Sequence, residues 1–429
     1  MTSILLCRCL AVGGFLLALG LLTVSVLSFP PVLTRFVLVD GTLASTGATA
    51  GFAGLALAAL AAAGASSWSA RRLWRRAAGI DARSVEFRLL AALFGAVVYL
   101  LLMELGVRVA FRPEAYLSGD DFWIHRFIER EPDKDVVFRS ANPINRHDPE
   151  LGWVPIPGHA SDGVHVNSHG ARGDEEYPLA KPAGEKRIVV VGDSFTFGEG
   201  VPDDEVYTAL LQRQLDGVRV INLGVLGYGT DQQYLRLRRD GFAFDPDLVI
   251  LAFFGPNAER NILSFRDSAK PMFRLEGDGI RLVNVPVPDP ADPATILRNP
   301  LPACRLGALL QTMWRRAIGR TRFAPQWEVT RRILDAAVDA TRSRGVPFLL
   351  VYFPDKQASF WETPHDTEIV LSRWAGEHRV PFLSVRPAFL RLPRDDQRRV
   401  WHGHYTPFGN RVVASAIAEG IRSSGALGE

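Results

Sequence analysis

Cysteine is scarce. The 429 residues contain three, Cys7, Cys9 and Cys304, too few for a disulfide framework, and the first two fall in an apolar run, so neither a zinc ribbon nor a redox pair follows. There is almost no excess of either charge: 49 basic against 46 acidic side chains leave a net +3, and the basic residues that stand out sit beside apolar runs without the interleaved aromatics of a nucleic-acid reader. No Gly-Lys-Ser/Thr follows the glycines between Gly192 and Gly200, which excludes a phosphate loop. His402-x-His404 has no third ligand at a suitable spacing, and His165 and His169 are separated by the turn-forming Asn167, Ser168 and Gly170, so no metal site is expected. No repeat of fixed period is visible. With 47% hydrophobic and 22% charged residues the chain is not a disordered one. Its length implies two or three structural units.

Long apolar runs, by contrast, are plentiful near the N-terminus. Residues 9–29 are uncharged over 21 positions, enough to cross a hydrocarbon core that needs about 20 residues of helix. A second uncharged run covers Ser45 to Ser69, and a third, within about 88–110, runs apolar from Leu89 to Met103 before Glu104, which could pair with Arg108 on one helix face. The expectation is a membrane anchor of about three transmembrane helices in residues 1–111. Arg71, Arg72, Arg75, Arg76, Arg83 and Arg88 lie between the second and third runs, against only Asp81 and Glu86. The positive-inside bias places that loop in the cytoplasm, so the chain after about residue 112 is expected outside it, in the periplasm of a multi-pass membrane protein.

Residues 112–186 are polar and turn-rich and read as a connector with a small subdomain containing HDPELGW (147–153) and VNSHGARGDEEYP (166–178). From 187 the pattern changes. Short β-branched or aliphatic runs at Arg187–Val191, Val218–Leu223, Leu248–Phe254, Phe348–Phe353 and Pro381–Ser384 alternate with helical stretches at Glu205–Leu215, Thr230–Asp240, Trp327–Arg344, Thr367–His378 and Arg411–Ser423. Such alternation predicts an α/β domain over 187–429, a doubly wound parallel sheet in a flavodoxin-like three-layer arrangement. Residues 264–325 interrupt it with a Pro-rich loop and one helix-like piece near Leu306–Ile318, read as an insertion over one edge of the sheet.

Ligands of open α/β sheets collect beyond the carboxyl ends of the strands. There the sequence places Gly192-Asp193-Ser194 after the first strand, Asn222 to Gly229 after the second, Gly255-Pro256-Asn257 after the third, and His402-Gly403-His404 before the last helix. A serine hydroxyl becomes a nucleophile when a base takes its proton, and His404 is the natural base at neutral pH. The tetrahedral intermediate needs about two or three preorganised donors. The N–H groups of Ser194 and Gly227 and the amide of Asn257 would serve, with no Cβ at 227 to keep main chain from substrate.

These four blocks resemble the SGNH/GDSL hydrolase superfamily, over roughly residues 147–423, and the stretch from Leu151 through Arg172-Gly173-Asp174 to Gly192 resembles its membrane-attached bacterial members. The resemblance implies Ser194 as nucleophile, Gly227 and Asn257 as oxyanion donors and His404 as base, with no cofactor. Two departures stand out. Ala258 follows Asn257 where the family often has aspartate, and Trp401 and His402 occupy the positions where an aspartate usually orients the histidine. Asp395 and Asp396 are near but sit in an arginine-rich loop, RLPRDDQRR. His402 is a candidate to hydrogen-bond His404, as is a backbone carbonyl. Loss of a triad acid costs about 10⁴ in turnover. No Gly-x-Ser-x-Gly elbow surrounds Ser194.

The expected activity is that of a membrane-anchored serine esterase removing ester-linked acyl groups, acetyl foremost, from an envelope carbohydrate or lipid-like substrate. Two alternatives use the same chain: an O-acetyltransferase working within an envelope polysaccharide-modifying system, and a binding or assembly protein of polysaccharide export in which catalysis has weakened. The expected partners are therefore the ester substrate and, through the N-terminal helices, membrane lipid, with no nucleic acid.

Overall fold

In the computed structural model the described residues are 144–266, 268–289 and 324–427, together with parts of 93–107, 120–123 and 305–310. The chain divides into two compact units, one made of Met1–Phe122 with Pro300–Arg322 and the other of Trp123–Asn299 with Phe323–Glu429. The 264–325 insertion is thus shared between them.

In the second unit the five expected strands form one parallel sheet: β5 (Lys186–Val191), β6 (Val218–Asn222), β7 (Leu248–Phe254), β10 (Phe348–Phe353) and β11 (Phe382–Ser384), in the order β11-β10-β7-β5-β6. Both faces are covered, which is why these strands read as continuous apolar runs. Alternate residues divide between two cores. Val189, Ile221, Val249, Leu251 and Leu350 face one, with Leu237 of α3 (Thr230–Arg239) and Ile333 and Leu334 of α5 (Ala324–Arg342). Ile188, Val190, Ile250 and Val351 face the other, with Leu211 of α2 (Tyr207–Gln212) and Val413 and Ile417 of α9 (Pro407–Ser424). Each fully buried aliphatic side chain contributes roughly 1.5–3 kcal/mol of transfer free energy. The strand order reverses on either side of β5, so the crevice at its carboxyl end is the place where a ligand belongs.

Three elements differ from the sequence expectation. The last helix begins at Pro407, four residues before Arg411, because Thr406 caps it by accepting the Gly409 N–H and proline is at home in a first turn. Within the insertion, β8 (Met272–Glu276) and β9 (Gly279–Val283) make an antiparallel hairpin where only loop was expected; the turn signal, Gly277-Asp278, was present. The 147–165 region forms two hairpins, β1 (Asn145–Asp148) with β2 (Gly152–Pro155) and β3 (Ala160–Ser161) with β4 (Val164–His165).

Of the three apolar runs, the first two lie outside the described residues, as does Arg108. In the third, Leu93, Leu101, Leu102 and Leu105 are each more than half exposed. Glu104 accepts the N–H groups of Arg305 and Leu306. Among the described residues no helix is long and apolar enough to cross a membrane.

The HDPELGW turn braces the sheet's carboxyl edge. Asp148 Oδ1 accepts the N–H groups of Glu150 (3.0 Å) and Leu151 (2.8 Å), and both its oxygens lie within 2.9 Å of Arg239 Nη1. Beyond it, Trp153 Nε1 donates to Leu226 O at 2.8 Å, and the Tyr228 hydroxyl donates to Trp153 O. The loop that carries Gly227 is therefore held from both sides. Burial pulls the Asp148 carboxyl upward, but the Leu151 N–H and the Arg239 guanidinium outweigh it and hold the group below its ordinary value. A depressed carboxyl stabilises the fold above its unfolded value and ceases to do so as pH falls through the folded one. Asp148→Asn should therefore cost about 1 kcal/mol at pH 7, and the melting-temperature gap to the parent should close on acidification below about pH 4. A gap that stays constant from pH 7 to pH 3 would show that the carboxylate charge contributes nothing.

Candidate active site

Strand β5 ends at Val191, and after two intervening residues the chain turns into α1 (Ser194–Phe197), a single helical turn. Asp193 caps it through Oδ1, which accepts the Phe195 N–H at 3.0 Å. Ser194 is thereby the first helical residue, and a first-turn N–H has no intrahelical acceptor. The imidazole of His404 comes from β13 (His404–Tyr405), paired with β12 (Trp401–His402) in a hairpin just before α9. Asn410 in the first turn of α9 fixes that hairpin: its Nδ2 donates to Tyr405 O and Thr406 O, and its Oδ1 accepts the Tyr207 N–H of α2. The outcome is a hydrogen bond of 2.8 Å between Ser194 Oγ and His404 Nε2, across 210 positions of sequence.

Gly227 lies in the loop after β6 at φ +80°, a backbone region that favours glycine. This is a second reason for glycine, beside the open approach read from the sequence. The Ser194 and Gly227 N–H groups have no hydrogen-bond acceptor among the described residues. Asn257 opens the one-turn helix α4 (Asn257–Arg260) that follows β7. It is fully buried, and its Nδ2 has no partner among the described residues. The three expected donors are thus all unspent.

Arg260, at the end of α4, ties their segments together. Its Nη1 donates to Asp193 Oδ2 (2.8 Å), Tyr228 O (2.9 Å) and Asn257 Oδ1 (3.0 Å). It joins the residue before Ser194, the residue after Gly227 and Asn257 itself. Sequence reasoning passed over this residue. The available signal was its place three after Asn257, on the same side of a helical turn.

Among the described residues no aspartate reaches His404. His402 lies opposite His404 in the hairpin register, but it is exposed and makes no hydrogen bond, so the orienting contact considered for it is not formed. Asp396 pairs with Arg399 in the exposed loop, as expected. Instead, Glu199 brings Oε2 to 3.3 Å from His404 Nε2, the nitrogen that also faces the serine. Glu199 follows the α1 C-cap, and its N–H bonds back to Ser194 O. The ring is further held by aromatic packing, with its centroid 4.6 Å from that of Phe195, which in turn contacts Phe254 and Trp401. Glu199 was legible only as part of a glycine-rich run.

Apart from these residues, a polar pocket of about 340 Å³ is lined in part by His165, Arg172, Glu175, Asp203 and Gln212. Arg172, from the VNSHGARG stretch, is buried. It pairs with Asp203 and donates to the carbonyls of Phe197 (3.0 Å) and Val201 (2.9 Å). It thereby holds the end of the helix that carries Ser194. In the same layer a Cβ at Gly224 would stand 2.4 Å from Phe197 N and 2.7 Å from Thr196 C. Those are backbone atoms of the helix that carries Ser194, and they cannot move aside alone. Gly224→Ala should therefore cost about 1–3 kcal/mol in overpacking and lower turnover of a nitrophenyl ester more than tenfold, since about 1 Å of displacement costs on the order of 10²-fold. Unchanged turnover together with unchanged melting would contradict this placement.

Comparison with known proteins agrees with these blocks. The model of the GDSL-like Lipase/Acylhydrolase family matches residues 190–412, just over half the chain. No curated protein matches it. Solved structures that resemble it include an acetylxylan esterase from Geobacillus stearothermophilus (15% identity, TM-score 0.34, covering 56% of this chain and 96% of that one). Others are a lipase/acylhydrolase from Enterococcus faecalis (18%, 0.33, 56% and 96%) and a GDSL-like lipase from Bacteroides thetaiotaomicron VPI-5482 (14%, 0.32, 57% and 91%). From a Gly-Asp-Ser turn after the first parallel strand to a histidine before the last helix, the chain belongs to the GDSL-like lipase/acylhydrolase family and is a hydrolase of ester bonds.

Proposed function

We propose that the chain is a membrane-anchored serine esterase that removes acyl groups, acetyl foremost, from an envelope carbohydrate or lipid-like ester. The observation that carries the catalytic part is the 2.8 Å contact between Ser194 Oγ and His404 Nε2. As Oγ attacks the acyl carbonyl carbon, its proton passes to Nε2. The carbonyl oxygen becomes an oxyanion that accepts from the Ser194 N–H, the Gly227 N–H and Asn257 Nδ2. Collapse expels the alcohol, which takes the proton from His404 and leaves an acyl-serine. Water then repeats the sequence, giving its proton to His404 and freeing the acid.

Glu199 takes part as a charge. An imidazolium that forms 3.3 Å from its carboxylate is favoured over one formed beside neutral side chains. The group is about half exposed, so the effect is modest. Glu199→Gln should lower kcat about fivefold with little change in KM, the size of a unit charge at about 4 Å in a water-like medium. An equal or higher kcat would remove Glu199 from the mechanism.

Anchoring rests on the three apolar runs and on the leucines of the third, which stay exposed on the described part of its helix. The arginine-rich loop orients the domain away from the cytoplasm, where acylated envelope carbohydrates are met. Trp361, on the segment after β10, is 45% exposed and offers a ring face on which a sugar could stack. The test uses the full chain in detergent. It should react with a fluorophosphonate probe and release acetate from an acetylated oligosaccharide, and Ser194→Ala should do neither. Faster transfer of acetyl to an added sugar than to water would convert the reading to an acetyltransferase. An unlabelled parent chain would refute the serine mechanism.

A further inference from the structure

We infer that Arg260 is a positioning residue that presets the oxyanion site, by fixing which way the Asn257 amide faces and by tethering the two main-chain donors to the same point. The inference rests on the reading of Asn257 as an oxyanion donor and goes one layer beneath it.

A guanidinium only donates hydrogen bonds. The atom of the Asn257 amide that faces it at 3.0 Å must then be Oδ1, because the reverse orientation would set two donors against each other. Nδ2 is the atom turned away, and it is buried without a partner. An unpaired buried donor costs about 1–3 kcal/mol. Without Arg260 the amide would be free to flip and recover that loss elsewhere. With Arg260 the donor stays available for charge that appears only during the reaction, which is how preorganised donors accelerate a step.

The other two contacts extend the argument. Asp193 Oδ2 and Tyr228 O share the same Nη1, and their residues adjoin Ser194 and Gly227, whose N–H groups are the remaining donors. One buried group therefore references all three donors to a common origin. Asp193 is 0% and Arg260 8% exposed, so the ion pair between them is desolvated and each charge depends on the other. The far end of α4 is anchored as well. Lys270, fully buried and paired with Asp231, donates to the carbonyls of Arg260 (3.3 Å), the last residue of that helix, and Leu263 (3.2 Å), just beyond it.

The test is a double-mutant cycle on the full chain, with kcat and KM for a soluble acetyl ester and the melting temperature measured throughout. Asn257→Ala alone should lower kcat about 10²–10³-fold, as for one lost oxyanion donor. Arg260→Lys keeps a positive charge for Asp193 but loses the planar donor set. It should lower kcat roughly 10–100-fold with KM within about threefold, since a donor used only in the transition state affects kcat. The double variant should lose clearly less than the product of the two single losses, because the Asn257 amide is no longer there to orient and only the tether to the main-chain donors remains to be lost. If Arg260→Lys does not fold, Asp193→Asn with Arg260→Met leaves no buried charge unpaired and replaces it in the cycle. Losses that multiply in the double variant would make Arg260 a purely structural residue and overturn the inference, as would full activity in Arg260→Lys. Full activity in Asn257→Ala would instead strike out the oxyanion reading on which the inference rests.

Discussion

The buried ion pair between Asp193 and Arg260 is the constraint on which the site depends. A carboxylate and a guanidinium removed from water must find each other and must have their remaining hydrogen-bonding capacity met. Meeting that demand brings together the end of β5, the loop after β6 and the turn after β7. Asp193 cannot satisfy both the Phe195 N–H and the guanidinium unless α1 starts at residue 194. The same condition aligns the Ser194 hydroxyl with the imidazole arriving from the C-terminal hairpin. Both oxygens of the aspartate in the Gly-Asp-Ser turn are thus engaged in holding the turn, one by the Phe195 N–H and one by Arg260.

Around His404 the solution is different from the usual one. No carboxylate supports its far nitrogen among the described residues; the ring is held by aromatic contacts and by the Asn410 network that clamps the hairpin to α2 and α9. The carboxylate of Glu199 lies instead on the serine-facing side of the ring, 3.3 Å from Nε2. A carboxylate in that position sits close to the serine as well, so it neither fixes the tautomer from behind nor shields the proton from solvent. The arrangement fits a slow esterase better than a fast one, because triad acids contribute through both orientation and charge.

The sheet was legible because strands buried on both faces leave continuous apolar runs, and all five lie where the sequence placed them. The four candidate site residues were legible because each stands directly after a strand or before the terminal helix, where topology gathers ligand contacts. What escaped reading is what depends on long-range geometry. Arg260 is one of many arginines until Asp193 and Tyr228 are seen against it. Glu199 looks like a turn residue until the hairpin brings His404 over it. The hairpin Met272–Val283 hid in a segment whose prolines suggested only loop, and the first turn of α9 hid behind Pro407, which ends patterns elsewhere but begins a helix here. His402 shows the opposite error. Adjacency in sequence suggested contact, whereas two residues facing across a tight hairpin need not bond.

The central claim is convergence: one hydroxyl, one imidazole and three donors around a single acyl carbon. The most direct measurement is a crystal structure of the full chain after reaction with a small alkyl phosphonate ester, whose tetrahedral phosphorus stands in for the attacked carbon. The account predicts phosphorus bonded to Ser194 Oγ and its anionic oxygen about 2.7–3.1 Å from the Ser194 N, the Gly227 N and Asn257 Nδ2. An adduct on another residue, or a phosphonyl oxygen turned to solvent away from Asn257, would contradict it.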